Sequence, residues 1–158
     1  MFYHPERRLV YLAHPHTASR STAGMLAGKG FIKQSRENHH ATLYENGIVG
    51  PENRGEWTVF TTVRNHFEWV LAQVWEMDPA TNAAPEIDWS DLGMWKRNLK
   101  HRFVTKHRLF RRHCPDADVL IRFENLKGDL AKVVGPIKTL RRVGKNPIRR
   151  RRHYREFY

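Results

Sequence analysis

The chain has 158 residues and carries 28 Lys and Arg against 16 Asp and Glu, a formal net charge of +12 at pH 7. Its length favours one domain with a core of its own, and its 40% hydrophobic and 11% aromatic residues argue against a disordered chain. The positive charge predicts an anionic partner, which can be nucleic acid, an anionic membrane surface, a nucleotide or an anionic glycan. We expect a single domain over residues 1–158 that includes a basic segment at 144–158.

Cysteine content and hydropathy bear on the cellular compartment of the protein. Cys114 is the only cysteine, which excludes an internal disulfide framework. The apolar run near the amino terminus is too short for a signal peptide, and no stretch approaches the roughly 20 apolar residues that span a bilayer. We therefore expect a cytoplasmic protein with no membrane partner.

The first predicted element is a buried strand at residues 9–13, "LVYLA", because the run is short, apolar and rich in β-prone residues. After a polar turn, the sequence predicts a helix from Ser21 to about Gly28, with Ser19 or Ser21 as its N-cap. Residues 32–56 are polar and rich in Gly and Asn, which predicts a loop with at most one short helix.

The middle of the chain predicts a second strand followed by helices. Residues 57–63, "WTVFTTV", form the strand, and the apolar positions after it recur with helical spacing at Phe67, Val70, Leu71, Val74 and Trp75. A Pro-rich connection then leads to a long basic helix predicted from Asp91 to about His113.

The last third predicts a third strand at 118–123 and a helix over 124–142 that breaks at Gly135-Pro136. The alternation of strands and helices predicts an α/β fold with a short parallel β-sheet flanked by helices. In such sheets ligands bind beyond the carboxyl ends of the strands. The polar residues that follow the first two strands are therefore the candidate site.

The stretch after the first strand, "HPHTASRST" at residues 14–22, is rich in hydroxyl and basic side chains that can bind an anion. Backbone amides at a helix N-terminus, four hydroxyl side chains and the cationic His16 and Arg20 suit a phosphate or sulfate. A polar strand-to-helix turn with a good N-cap would use the same residue types, and the sequence leaves these two interpretations even. The pattern G-x-x-x-x-G-K-[ST] is missing, which disfavours a nucleotide-cleaving P-loop enzyme.

Arg64 directly follows the second strand, where its guanidinium is suited to bidentate phosphate binding. The alternative is an ion pair with Glu68. Because the carboxyl ends of neighbouring parallel strands share one edge of a sheet, we expect Arg64 and the 14–22 stretch to converge.

Four segments in the same order resemble the sulfotransferase family that uses 3′-phosphoadenosine 5′-phosphosulfate (PAPS). They are "LVYLAHPHTASRST", "FTTVRNHFEWVLAQVW", "VLIRFENL" and the terminal "HYREFY". The resemblance covers nearly the whole chain and implies a P-loop-like sulfotransferase fold in a small, minimal member of viral or bacterial type. It also implies PAPS as the sulfuryl donor, a hydroxyl of a carbohydrate or small molecule as the acceptor, and no metal.

The resemblance implies roles for individual residues. Arg64 would hold the 3′-phosphate, and His40 in "NHHATL" would be the catalytic base, with His39, Glu37 and Glu45 as further options. An exposed pair of loop histidines is an equal alternative at 39–40. The 5′-phosphosulfate would be held by His16, Thr17, Ala18, Ser19, Arg20, Ser21 and Thr22.

The chain departs from the family pattern at defined positions. His16 stands where the family has the loop Lys that reaches the sulfuryl oxygens, so the resemblance makes His16 a catalytic candidate as well. A histidine is not permanently charged, and Arg20 can supply the missing positive charge. Ala18 replaces the loop Gly, and Ala72 replaces the Ser that contacts the 3′-phosphate. The Arg149–Arg152 cluster can assist there.

Two further expectations concern the surroundings of the site. Glu124 resembles a structural Glu of the family, and we expect it to position neighbouring loops. Because the chain is short, the acceptor site is open, shared across a homo-oligomer, or completed by a partner.

The alternative function is a basic nucleic-acid-binding protein without catalytic activity. Its evidence is the basic helix at 94–113 and the terminal "IRRRRHYREFY", whose aromatic side chains can stack on bases. No known nucleic-acid motif is present, which favours the sulfotransferase. Ten histidines without an H-x-x-x-H pair, beside a single cysteine, do not favour a metal site.

Overall fold

The structure, a computed structural model, describes residues 1–34, 42–65, 69, 111 and 115–140. The predicted basic helix from Asp91 to His113 lies outside the described residues except for Arg111, as does the whole segment 144–158. Of the predicted helix that begins near Phe67, only Trp69 is described. No helix in the described part of the chain is long and apolar enough to cross a membrane.

The described residues form a mixed α/β fold around one five-stranded sheet. The strands are β1 (Phe2–His4), β2 (Leu9–Leu12), β3 (Ile32–Lys33), β4 (Thr58–Val63) and β5 (Val119–Arg122). Their order across the sheet is β3-β1-β2-β4-β5. The three predicted strands, β2, β4 and β5, run parallel, whereas β1 pairs antiparallel with both β2 and β3. The prediction of a purely parallel sheet is therefore wrong at one edge.

Strands β1 and β3 are too short to leave a periodic signal in the sequence, since they have 3 and 2 residues. β1 is fixed by its hairpin with β2, which pairs Phe2 with Tyr11. β3 is fixed from both sides, because Phe31 before it is buried and the amide of Gln34 after it donates to the carbonyl of Met1 at 3.3 Å. These strands exist because of their partners in the sheet.

Among the described residues, two whole α-helices pack against the sheet: α1 (Ser19–Ala27) and α2 (Leu126–Val134). Helix α2 ends at Gly135, which has a φ of 80°, directly before Pro136, so the predicted break at this dipeptide is present. The predicted loop at 32–56 contains two short 3-10 helices, Tyr44–Asn46 and Arg54–Glu56, and a third follows β5 at Phe123–Asn125.

Hydrophobic clusters cover both faces of the sheet. On one face Tyr11 and Phe60 pack with Leu26 of α1 and Leu130 of α2. On the other face Val10, Leu12 and Val59 of the strands pack with Leu43 and Val49 from the connection before β4. All four residues of β2 are buried, as expected for a strand covered on both faces.

Cationic side chains tie the helices and strands together away from the carboxyl edge of the sheet. The Arg7 guanidinium donates to the carbonyls of Val133 (3.0 Å) and Val134 (3.1 Å) at the end of α2, and Lys29 Nζ donates to Val134 O at 3.2 Å. Positive charge at a helix C-terminus is stabilising. At the start of β5, Arg54 donates to Asp118 Oδ1 at 2.8 Å. These contacts stabilise the fold away from the carboxyl ends of the parallel strands, where the loops of the candidate site lie.

Candidate anion-binding site at the carboxyl ends of β2 and β4

The two polar segments predicted to converge lie at the same edge of the sheet. β2 and β4 are parallel neighbours, with Leu12 opposite Thr61. Residues 13–18, here called the β2–α1 loop, leave the end of β2, and Arg64 follows the end of β4. Arg64 Nη1 donates to the backbone carbonyl of His16 at 3.4 Å. The structure thus brings a guanidinium to the loop that precedes α1.

The β2–α1 loop enters the helix through left-handed backbone geometry. His16 has a φ of 60° and Ala18 a φ of 64°, a region that residues with a Cβ rarely adopt. Ala18 is the N-cap of α1 and provides no side-chain hydrogen bond, so the prediction of a Ser19 or Ser21 N-cap is wrong. The amide of Thr22 donates to Ala18 O at 3.0 Å. The amino terminus of α1, with its partial positive charge, therefore adjoins the loop that Arg64 contacts.

A chain of buried hydroxyls fixes the loop to the sheet. The Tyr11 hydroxyl lies 3.0 Å from Thr62 Oγ1, which lies 2.5 Å from Thr17 Oγ1, and Thr17 Oγ1 donates to the carbonyl of His14 at 2.8 Å. Each hydroxyl has one proton, so the chain runs in one direction: Tyr11 donates to Thr62, and Thr62 donates to Thr17. Burial, offset in part by the hydrogen bond with Thr62, raises the pKa of Tyr11 to about 12. This chain holds the loop in its bent path.

Trp69, in the segment that follows β4, contacts the β2–α1 loop at Pro15 and His14. Its Nε1 donates to the carbonyl of Pro15 at 3.1 Å, and its ring centroid lies 6.0 Å from that of His14. Both side chains are buried. The apolar spacing that predicted the helix did not include Trp69. An indole needs a hydrogen-bond partner when buried, and that requirement is the only sequence signal for this contact.

The seven loop and helix residues predicted to hold the 5′-phosphosulfate differ in exposure. Thr17, Ser19, Ser21 and Thr22 are buried. His16 and Ala18 are half-buried, and Arg20 is exposed on the first turn of α1. The Thr17 hydroxyl is occupied by Thr62 and His14, so it shapes the loop. The Arg and His side chains around the loop that are not fully buried are therefore His16, Arg20 and Arg64.

Two residues directly after β5 contact the residues directly after β4. The Arg64 Cζ atom lies 4.2 Å from the centroid of the Phe123 ring, a cation–π contact. The amide of Asn65 donates to Glu124 Oε1 at 2.7 Å. Glu124 thus holds a neighbouring segment, as the sequence led us to expect. Nothing in the residues around Phe123 indicates this contact, because its partner Arg64 is 59 positions away along the chain.

Several residues that the sequence predicts for the site lie outside the described residues, so their roles stay predictions. They are Glu37, His39, His40, Glu68, Ala72 and the Arg149–Arg152 cluster. Glu45 is described, and its Oε2 accepts a hydrogen bond from the amide of Thr42 at 2.9 Å. Among the described residues no group of three or more His, Cys, Asp or Glu side chains is placed to hold a metal ion.

No family model matches this chain, and no curated protein and no solved structure matches it. A fold of this class hosts many unrelated activities, so function has to be argued from the site.

Proposed function

We propose that this protein is a PAPS-dependent sulfotransferase that transfers a sulfuryl group to a hydroxyl of a carbohydrate or small-molecule acceptor. The observation that carries the proposal is the contact between Arg64 Nη1 and His16 O at 3.4 Å. It brings a permanent positive charge from the end of β4 to the loop that leads into α1. Two anion-binding elements on adjacent parallel strands are what a nucleotide with phosphates at both its 3′ and 5′ positions requires.

The 5′ side of the donor would bind at the amino terminus of α1. Backbone amides in the first turn and the helix dipole favour an anion there, and the exposed Arg20 adds a charge. The half-buried His16 is the second polar side chain beside this position. The left-handed backbone at His16 and Ala18 sets the path by which the loop reaches the helix. The buried hydrogen bond between the hydroxyls of Thr17 and Thr62 stabilises this path of the loop.

The 3′-phosphate would bind Arg64. A guanidinium presents paired N–H donors that match two phosphate oxygens and keeps its charge at every physiological pH. Arg64 is half-buried, which weakens the screening of its charge by solvent. A nucleotide that lacks the 3′-phosphate would forgo this interaction and keep the contacts at α1.

The proposed reaction is an in-line displacement at sulfur. The acceptor oxygen forms a bond to sulfur while the bond between sulfur and the bridging oxygen breaks, and the electron pair stays on the departing 5′-phosphate of adenosine 3′,5′-bisphosphate. The hydroxyl proton passes to a base, for which His40 is the proposal. The amides of α1 with His16 and Arg20 would stabilise the charge that builds on the bridging oxygen.

The test is a calorimetric titration of the protein with adenosine 3′,5′-bisphosphate, AMP and ATP at moderate salt. We expect the bisphosphate to bind about tenfold or more tightly than AMP, because hydrogen bonds to charged groups contribute about 1.5–3 kcal/mol. Arg64→Ala should remove this preference. Arg8→Ala is the matched control, since Arg8 precedes β2 at the opposite edge of the sheet, beside Glu56.

Equal binding of the three nucleotides by the wild-type protein would contradict the proposal. Binding of oligonucleotides with a steep dependence on salt and no dependence on Arg64 would favour the nucleic-acid alternative instead. Transfer of labelled sulfate from PAPS to a panel of hydroxyl acceptors would then separate an active enzyme from a protein that only binds the donor.

A further inference from the structure

The Arg64 guanidinium lies over the ring of Phe123. The Arg64 Cζ atom lies 4.2 Å from the centre of the Phe123 ring, and Arg64 Nη1 reaches His16 O. The guanidinium therefore contacts both an aromatic ring and the carbonyl of the β2–α1 loop. We propose that Phe123 is a positioning residue that sets the preference of this site for a nucleotide with a 3′-phosphate. This inference rests on the proposed function.

The contact follows from the register of the sheet. β4 and β5 are parallel, with Val63 opposite Arg122, so the next residue of each strand, Arg64 and Phe123, also meet. The residues one position further on are joined as well, through Asn65 N and Glu124 Oε1. The pairing of Arg64 with Phe123 is thus built into the ends of two adjacent strands.

Stacking on a ring suits a guanidinium that has to bind an anion. An arginine side chain is long and flexible, and a 3.4 Å hydrogen bond is at the long end of the range and holds its head group weakly. Contact with an aromatic ring restricts the positions of the guanidinium without using any of its N–H donors. Ordering the side chain before the ligand arrives lowers the entropic cost of binding.

The surroundings of Phe123 favour this role over a place in the core. Phe123 is half-buried, and it belongs to neither of the two hydrophobic clusters formed by the described residues. Its neighbours on β5, Val119 and Ile121, pack in the cluster that faces α1 and α2. A large aromatic ring outside the core and against a half-buried arginine points to a function in holding that arginine.

The test compares Phe123→Leu with Phe123→Tyr in titrations with adenosine 3′,5′-bisphosphate and with AMP. Leu keeps an apolar side chain without a π face, and we expect it to weaken bisphosphate binding about fivefold while AMP affinity stays unchanged. Tyr keeps the ring face, so Phe123→Tyr should retain wild-type affinity for both. Val119→Ala, a truncation on the same strand without contact to Arg64, is the control for loss of stability alone.

A double-mutant cycle isolates the pair. In the Arg64→Ala background, Phe123→Leu should cause no further loss of bisphosphate affinity, because its effect passes through Arg64. Melting curves establish that each variant is folded, and Phe123→Met replaces the Leu variant if that one does not fold.

Each result decides between the claims. An equal loss of affinity for both nucleotides in Phe123→Leu would assign Phe123 a purely structural role and overturn the inference. An unchanged preference would overturn it too, while the proposed function would stand. A wild-type protein that does not distinguish the bisphosphate from AMP would overturn both.

Discussion

Two residues with side chains, His16 and Ala18, hold left-handed backbone angles within one six-residue loop. Each such conformation costs about 1–2 kcal/mol for a residue with a Cβ. A Gly at position 18 would adopt the observed φ of 64° without this cost. Ala18 keeps the geometry because Thr62, Trp69 and Arg64 hold the rest of the loop.

Replacing Ala18 with Gly should stabilise the protein. Gly adopts a positive φ without steric cost, although its freer unfolded state offsets part of the gain, so we expect the free energy of unfolding to rise by about 0.5–1 kcal/mol in urea titrations. Ala131→Gly, in the interior of α2, is the control and should lower it by at least a similar amount. A loss of stability in Ala18→Gly equal to that of the control would show that the left-handed angle carries no strain.

At the scale of elements, the site is assembled from the ends of three parallel strands. β2 supplies the loop, β4 supplies Arg64 and β5 supplies Phe123 and Glu124. The hydroxyls of Tyr11 and Thr62 connect the first two strands directly under the loop. The apolar runs predicted these strands, and their parallel order predicted that Arg64 would reach the loop. The Thr residues of β4, at positions 58, 61 and 62, carried no sequence signal that Thr62 supports the site.

Thr62→Val should test how much the hydroxyl chain stabilises the loop. The substitution keeps the shape of the side chain and leaves the hydroxyls of Tyr11 and Thr17 without their shared partner in the interior. Because an unmet buried hydrogen bond costs about 1–3 kcal/mol, we expect the free energy of unfolding to fall by that amount in urea. Thr58→Val, at the exposed start of the same strand, should change it little. A loss for Thr62→Val no larger than for Thr58→Val would refute the role of the chain.

At the scale of the whole molecule, an acidic residue in the first turn of α2 couples the helix to the sheet. Asp129 accepts hydrogen bonds from Arg122 Nε at 2.7 Å and Nη2 at 3.1 Å, and from Asn125 Nδ2 at 2.9 Å. These bonds, led by the one from the Arg122 side chain, hold the pKa of Asp129 well below its usual range. The folded state therefore prefers the ionised carboxylate more strongly than the unfolded chain does.

The pH dependence of stability should report this coupling. A carboxyl whose pKa is lowered by folding stabilises the protein fully above its unfolded pKa of about 3.9, and the stabilisation is lost as the pH falls toward the folded pKa. Asp129→Asn should flatten the part of the acid decline in melting temperature that lies below about pH 4. Glu6→Gln, at an exposed position in the hairpin turn, should retain the wild-type slope there. Parallel curves for wild type and Asp129→Asn would count against the coupling.

The sequence by itself determined the three parallel strands, the first helix, the helix break at Gly135-Pro136 and the meeting of Arg64 with the β2–α1 loop. Those features depend on local apolar runs, on a Pro that cannot continue a helix, and on the geometry that all parallel strands share. Only the tertiary structure decided the antiparallel strands β1 and β3, the left-handed N-cap at Ala18, and the contacts of Trp69 and Phe123. Strand β1 is too short to leave a pattern of its own. The other features depend on partners distant along the chain, and such partners leave no mark in the residues around them.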